Sequence, residues 1–96
     1  MTSPTTEVAV QQAFEVANGI QVGTAQKNAQ GTLKISFPQP FRGNPVVVVS
    51  GMYLLQANGV QHPDTIVNVN SADFTVSSDN ASPNYYVNWV AYGPVS

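Results

Sequence analysis

A chain of 96 residues, 43% hydrophobic and 8% charged, has room for one domain around one core, with a surface built from Asn, Gln, Ser and Thr. Three Lys and Arg against five Asp and Glu leave a net charge of −2, without the basic stripe that nucleic-acid binding requires. The absence of cysteine excludes disulfides and thiolate metal sites, and no run approaches the roughly 18 apolar residues of a membrane-spanning helix. So few charges also mean that copies of the chain repel one another weakly.

Residues 1–12 allow two readings. Ser3 before Pro4 suits the start of a short helix, while the alternation of Val8 and Val10 suits an extended arm. Either lies outside the main domain, which is expected over residues 13–96. The opening Met1–Glu7 has no basic or long apolar stretch, so no signal peptide is expected.

From Ala13 the pattern is β throughout. Phe14 to Val16, the Asn18-Gly19 turn and Ile20 to Gly23 form a strand or bent strand pair. A polar loop follows from Ala25 to Gly31. Thr32 to Phe37 alternates Leu33, Ile35 and Phe37 against Lys34 and Ser36, and Pro38, Pro40 and Pro45 end it. Val46 to about Leu55 is a long strand, and its four successive valines predict burial or coverage on both faces. After the loop Gln56 to Asp64 come strands Thr65 to Asn70 and Phe74 to Ser77, then the loop Ser78 to Asn84.

The last strand, Tyr85 to Gly93, organises the rest. One parity carries Tyr85, Val87, Trp89 and Ala91, the other Tyr86, Asn88, Val90 and Tyr92. Both faces are apolar enough to meet protein, one as core and the other as a subunit contact or ligand shelf. About six strands with short, turn-rich connections predict an all-β antiparallel sandwich.

Three segments, F-E-V-A-N-G-I-Q-V-G-T (Phe14 to Thr24), I-S-F-P-Q-P-F-R-G-N-P-V-V-V-V-S (Ile35 to Ser50) and I-V-N-V-N-S-A-D-F-T-V followed by Y-V-N-W-V-A-Y-G, carry a resemblance. Taken together, in this order and spacing, they resemble the H-type lectins, the family of the snail agglutinin and the discoidin C-terminal domain. The resemblance implies a sandwich of roughly six strands packed as a parallel homotrimer, and the sequence leaves a hexamer open beside the trimer. It also implies binding of galactose and N-acetylgalactosamine-type glycans in shallow clefts at subunit boundaries. A secreted, extracellular or virion-surface location is favoured, and the sequence leaves the cytoplasm of synthesis open. The chain departs from that family where an arginine precedes the F-x-V segment, since Thr65 stands nearest. The loop before the last strand is also shorter here, and the snail protein's intersubunit cysteine has no counterpart.

A sugar site needs carboxylate or amide groups for hydroxyls and an aromatic face for the C–H patch. Asp79, Asn80 and Asn84 beside Tyr85 have that chemistry, although the same residue types also make ordinary turns. His62 and Asp64, flanking Pro63 in the other long loop, are expected to join them from a neighbouring subunit. Trp89 is expected in the core, because Val87 and Ala91 share its face. Arg42 suits a solvated loop tip, and Asn80-Ala81-Ser82 is a formal glycosylation acceptor followed by Pro83.

Catalysis is not expected. One histidine and no nucleophile-elbow pattern leave no triad, one histidine without cysteine argues against a zinc site, and no cofactor is expected. Two functions remain: a multivalent carbohydrate-binding lectin, or a trimeric structural or receptor-binding module of a phage or bacterial surface fibre.

Overall fold

Seven strands, paired antiparallel throughout, form two stacked sheets in a computed structural model that describes residues 11–55 and 62–95. In chain order they are β1 (Gln11–Ala17), β2 (Ile20–Gln26), β3 (Gly31–Ser36), β4 (Val46–Tyr53), β5 (Thr65–Val69), β6 (Asp73–Ser78) and β7 (Tyr85–Tyr92). One sheet has the order β1-β2-β7-β4 and the other β3-β6-β5. The chain is an all-β antiparallel sandwich, with no helix among the described residues and so none to cross a membrane.

The seventh strand comes from the N-terminal hairpin. Asn18-Gly19 is a tight turn with Gly19 at φ +86°, a conformation glycine adopts without a Cβ clash. It folds β1 back onto β2, with Phe14 opposite Val22 and a bulge between Glu15 and Ala17. The domain boundary expected at residue 12 therefore falls inside β1. Residues 1–10, to which the arm or helix belongs, lie outside the described residues.

β7 runs down the centre of the four-stranded sheet, paired with β2 on one side and β4 on the other. Its odd parity faces inward: Tyr85, Val87, Trp89 and Ala91 are all buried. Across the sandwich they meet Ile35, Phe37, Phe74 and Val76 from β3, the segment after it, and β6. Phe37 lies 5.0 Å from Phe41 edge to face, 5.4 Å from Phe74 and 5.6 Å from Trp89, and Phe74 lies 5.5 Å from Trp89. Edge-to-face pairs add to plain area burial because each positive ring edge meets a negative face. Trp89 is core, as its neighbours implied, although its indole Nε1 is buried without a hydrogen-bond partner among the described residues.

A glycine makes room for each of the two inward rings of β7, Trp89 and Tyr85. Gly23 stands opposite Trp89, and a Cβ there would lie 2.5 Å from Trp89 Cζ2. A Cβ on Gly51 would collide with the Tyr85 hydroxyl. Gln21, fully buried on the inward side of β2, exchanges two hydrogen bonds with the backbone of Gln39, at 2.9 and 3.0 Å. That amide pair satisfies a backbone stretch between two prolines that could not join a ladder.

The outward parities differ between the sheets. On the four-stranded sheet Phe14, Val22, Val90, Tyr92, Val46 and Val48 come into register as neighbours, and five of these six are exposed. On the three-stranded sheet the outward residues are mostly polar, among them Thr32, Lys34, Thr75 and Ser77, with Lys34 Nζ 3.6 Å from Asp73 and Val67 exposed at the bulge of β5.

Candidate functional site

β7 begins at Tyr85, immediately after the loop that crosses from β6, and this start is where the two long loops meet. Ser78 ends β6, Asp79 is exposed, and Asn80 turns inward to 6% exposure. Asn80 holds the other loop by a two-way bond. Its Oδ1 accepts from the His62 amide at 3.0 Å, and its Nδ2 donates to the His62 carbonyl. Nδ2 also reaches the Tyr85 hydroxyl at 3.2 Å.

Asp64 sits one turn further on. Its Oδ1 accepts the Ser78 hydroxyl proton at 2.6 Å, and its Oδ2 accepts the Tyr85 hydroxyl proton. A carboxylate has about four lone-pair positions, and among the described residues two of those on Asp64 are used. Burial pushes the Tyr85 phenol far above its ordinary value, and the hydrogen bond to Asp64 and its negative charge add to the shift. The hydroxyl therefore stays protonated and donates to Asp64.

Lys27, at 1% exposure, ties the site down from behind. It continues the inward parity of β2 just past the strand's end. Its three ammonium protons go to the carbonyls of Ala29 (2.8 Å), Ser78 (3.0 Å) and Asn80 (2.7 Å). Its backbone amide donates to Tyr85 O at 2.9 Å, and its carbonyl accepts from Ser82 at 3.1 Å. Desolvation lowers the ammonium pKa, and the charges of Asp64 and Asp79 oppose that shift.

In front of this network lies a cavity of about 400 Å³, lined by Val49, Ser50 and Gly51 of β4 and by His62, Pro63, Asp64 and Tyr85. The space suits one sugar ring or a molecule of that size. Val49 and Pro63 give it apolar wall, the Asp64 carboxylate and Tyr85 hydroxyl give it polar groups, and His62 is exposed at its rim.

Of the six residues expected to bind sugar, the structure brings His62, Asp64, Asn80 and Tyr85 together, all within one chain. The expectation that His62 and Asp64 approach Asn80 from a neighbouring subunit is corrected by the hydrogen bonds linking them inside a single protomer. Two roles also change. The ring of Tyr85 is buried against Gly51 and Tyr53, so it offers the cavity its hydroxyl and no open face for stacking. Asn80 has both amide groups engaged and acts by fixing His62. The same engagement closes the Asn80-Ala81-Ser82 acceptor, whose nitrogen is already used.

Asn84 and Asp79 do not line the cavity. Asn84 pins the end of β4, its side chain accepting from Leu55 N at 3.2 Å and its carbonyl from Leu54 N at 3.0 Å. The sequence reading missed Lys27, Ser50 and Ser78. The signal for Lys27 was present: Gln21, Gly23, Ala25 and Lys27 share one inward parity, so the strand's register carries the lysine into the interior.

Among the described residues, no group of three or more His, Cys, Asp or Glu is placed to hold a metal ion. Compared with known proteins, the chain matches no family model, no curated protein and no solved structure.

Proposed function

We propose that the protein is a carbohydrate-binding lectin that recognises galactose and N-acetylgalactosamine-type glycans and works as a homotrimer. The observation that carries this reading is the 400 Å³ cavity with a half-satisfied carboxylate, Asp64, in its wall. Free lone pairs on a fixed carboxylate suit vicinal sugar hydroxyls, and the Val49 and Pro63 wall suits the C–H face. The resemblance of Phe14 to Gly93 to the H-type lectins points the same way, and the two-sheet antiparallel sandwich is compatible with it.

Trimer formation rests on a separate feature, the apolar outer face of the four-stranded sheet. Val46, Val48, Phe14 and Tyr92 are each about three-fifths exposed there, at 62%, 63%, 58% and 60%. A contiguous stripe of this kind on a monomer would promote aggregation, and association between copies removes it from water. One shallow site binds a sugar weakly, and three tethered sites restore useful avidity.

The test is titration of the isotopically labelled protein with methyl galactoside, following backbone amide shifts. Shifts centred on Ser50, His62 and Asp64, lost in Asp64→Ala and kept in Asp79→Ala, support the reading. Shifts centred on Asp79 and Asn84 move the site out of the cavity. The absence of binding to any glycan favours the second reading, a trimeric structural module of a phage or bacterial surface fibre, which needs the apolar sheet face and not the cavity.

A further inference from the structure

We infer that the cavity selects neutral glycans and rejects anionic ones, such as those ending in a uronic acid, a sialic acid or a sulfated sugar. This rests on the lectin reading above and names the ligand class of the same site. The argument follows from where each of the chain's cationic side chains goes, since a sugar carboxylate entering a pocket needs a cation or several N–H donors to replace its water.

The chain has three Lys and Arg in all. Lys27 is nearest the cavity, behind the Asp64 and Asn80 network, but all three of its ammonium protons are committed to the carbonyls of Ala29, Ser78 and Asn80. An ammonium has three donors and no more, so Lys27 has nothing to give a ligand anion. Lys34 lies on the outer face of the other sheet beside Asp73. Arg42 is anchored at the opposite end of the sandwich, where its amide donates to Pro94 O at 2.7 Å. Tyr85 at one end of β7 and Tyr92 at the other are separated by about 25 Å of strand. Residues 56–61, which precede His62, read Gln-Ala-Asn-Gly-Val-Gln and bring no charge.

The negative side is well supplied. Asp64 forms part of the cavity wall, and both Asp64 and Asp79 are close enough to Lys27 to act on its charge. Asp64 thus stands in the cavity wall, and the one ammonium near it has all three protons already bonded to carbonyls. A sugar hydroxyl donates to Asp64 and is held, whereas a sugar carboxylate faces Asp64 with no partner. Rejection of the wrong ligand by an unpaired like charge is a standard source of specificity. The comparison is made at about pH 8, where histidine as a class is neutral.

The experiment compares methyl galactoside with the methyl glycoside of galacturonic acid, which keeps the ring and replaces the C6 hydroxymethyl by a carboxylate. Binding is measured by amide shifts at Ser50, His62 and Asp64 of the whole protein, at low and at high salt. The expected result is an uronide weaker by about tenfold or more at low salt, with the gap narrowing as salt screens the repulsion. Asp64→Asn should narrow it further; if that variant does not fold, the salt series on the wild type decides alone. Equal affinity for the two glycosides, or tighter binding of the uronide, overturns the inference and leaves the lectin reading intact. If neither glycoside binds, and no other neutral sugar does, the lectin reading fails and the inference falls with it.

Discussion

The two sheets of the sandwich are alike on the inside and opposite on the outside. Inside, Tyr85, Val87, Trp89 and Ala91 face Ile35, Phe74 and Val76, all nearly or fully buried. Outside, the three-stranded sheet carries Thr, Ser and the Lys34–Asp73 pair, the pattern of an antiparallel sheet with one solvated face. The four-stranded sheet instead sets Val90 of its central strand between Val22 and Val48, with Phe14 and Tyr92 beside them. One sheet presents a mostly polar outer face and the other an apolar one. The difference marks the outer face of the four-stranded sheet as the surface on which the proposed trimer would form.

The comparison can be broken first on the inside, where the largest effect is expected. Trp89→Ala should cost roughly 3–5 kcal/mol, because the ring is 3% exposed and packs against Phe37 and Phe74. Denaturant unfolding measures this. A loss under about 1 kcal/mol would mean that the two inner faces are not tightly packed, and the contrast between inside and outside would lose its meaning. Trp89→Phe should cost much less, since it also removes the buried indole donor that has no partner.

On the outside, Val90→Glu places a charge at the middle of the apolar face. Sedimentation equilibrium of the wild type at micromolar concentration should give about three times the protomer mass of 10.2 kDa, and the variant one protomer mass with its β-sheet circular dichroism kept. A wild type that sediments as a monomer removes the trimer from the proposed function and leaves the exposed face without a role. A Val90→Glu variant that still assembles moves the contact to another surface.

Gly51→Ala sharpens the contrast within β4, between its outward valines and the side turned to Tyr85. The added methyl meets the Tyr85 hydroxyl, and overpacking of this kind costs about 1–3 kcal/mol. It should also displace the Tyr85 hydroxyl that holds Asp64 in place, so sugar affinity should fall while the trimer persists. Loss of assembly with sugar binding intact would reverse the assignment of the two sides.

Raising the pH acts on the buried pair behind the cavity, and the two groups have opposite signs. Tyr85 has its folded-state pKa raised, so above the ordinary value of 10.0 the unfolded chain loses that proton first and stability falls with pH. Lys27 has its folded-state pKa lowered below 10.5, so approaching that value the folded state loses its proton first and stability rises. Tyr85 carries the larger shift, and stability should decline above about pH 10, less steeply in Tyr85→Phe. An unchanged slope in Tyr85→Phe would mean that the phenol does not titrate with unfolding.

How much of this was legible beforehand differs along the chain. The faces of β7 could be read directly because a strand has period two, and Trp89 has Val87 and Ala91 for same-face neighbours. The sandwich followed from strand spacing and turn residues. The N-terminal hairpin was half-visible, since Asn18-Gly19 marked its turn but the exposed Glu15 and Val16 blurred the first strand. The site was harder because its bonds are long-range: Lys27 to Ser78 and Asn80, Asp64 to Ser78 and Tyr85. Loop residues such as Asp79, Asn80 and Asn84 have the same chemistry, and only the fold separates the one that turns inward from those that do not. Tyr85 misled for a physical reason, because its apolar ring and polar tip suit a sugar platform and a buried hydrogen-bonded phenol equally well.

The smallest effect should come from the polar face, and it is the control that gives Val90→Glu its meaning. Thr75 holds in β6 the place that Val90 holds in β7, outward on the central strand of its sheet. Its neighbours are Lys34 and Asn68, so a glutamate there meets a cation and an amide already in water. Surface substitutions of this sort change stability by about 0.5 kcal/mol or less, and a cross-strand opposite charge offsets part of the lost β-branching. Thr75→Glu should therefore keep the wild-type mass in the centrifuge and its melting temperature to within a few degrees. If Thr75→Glu dissociates the assembly as Val90→Glu does, the outer faces are not distinguished by their chemistry. The three-stranded sheet would then be part of the contact in spite of its polarity.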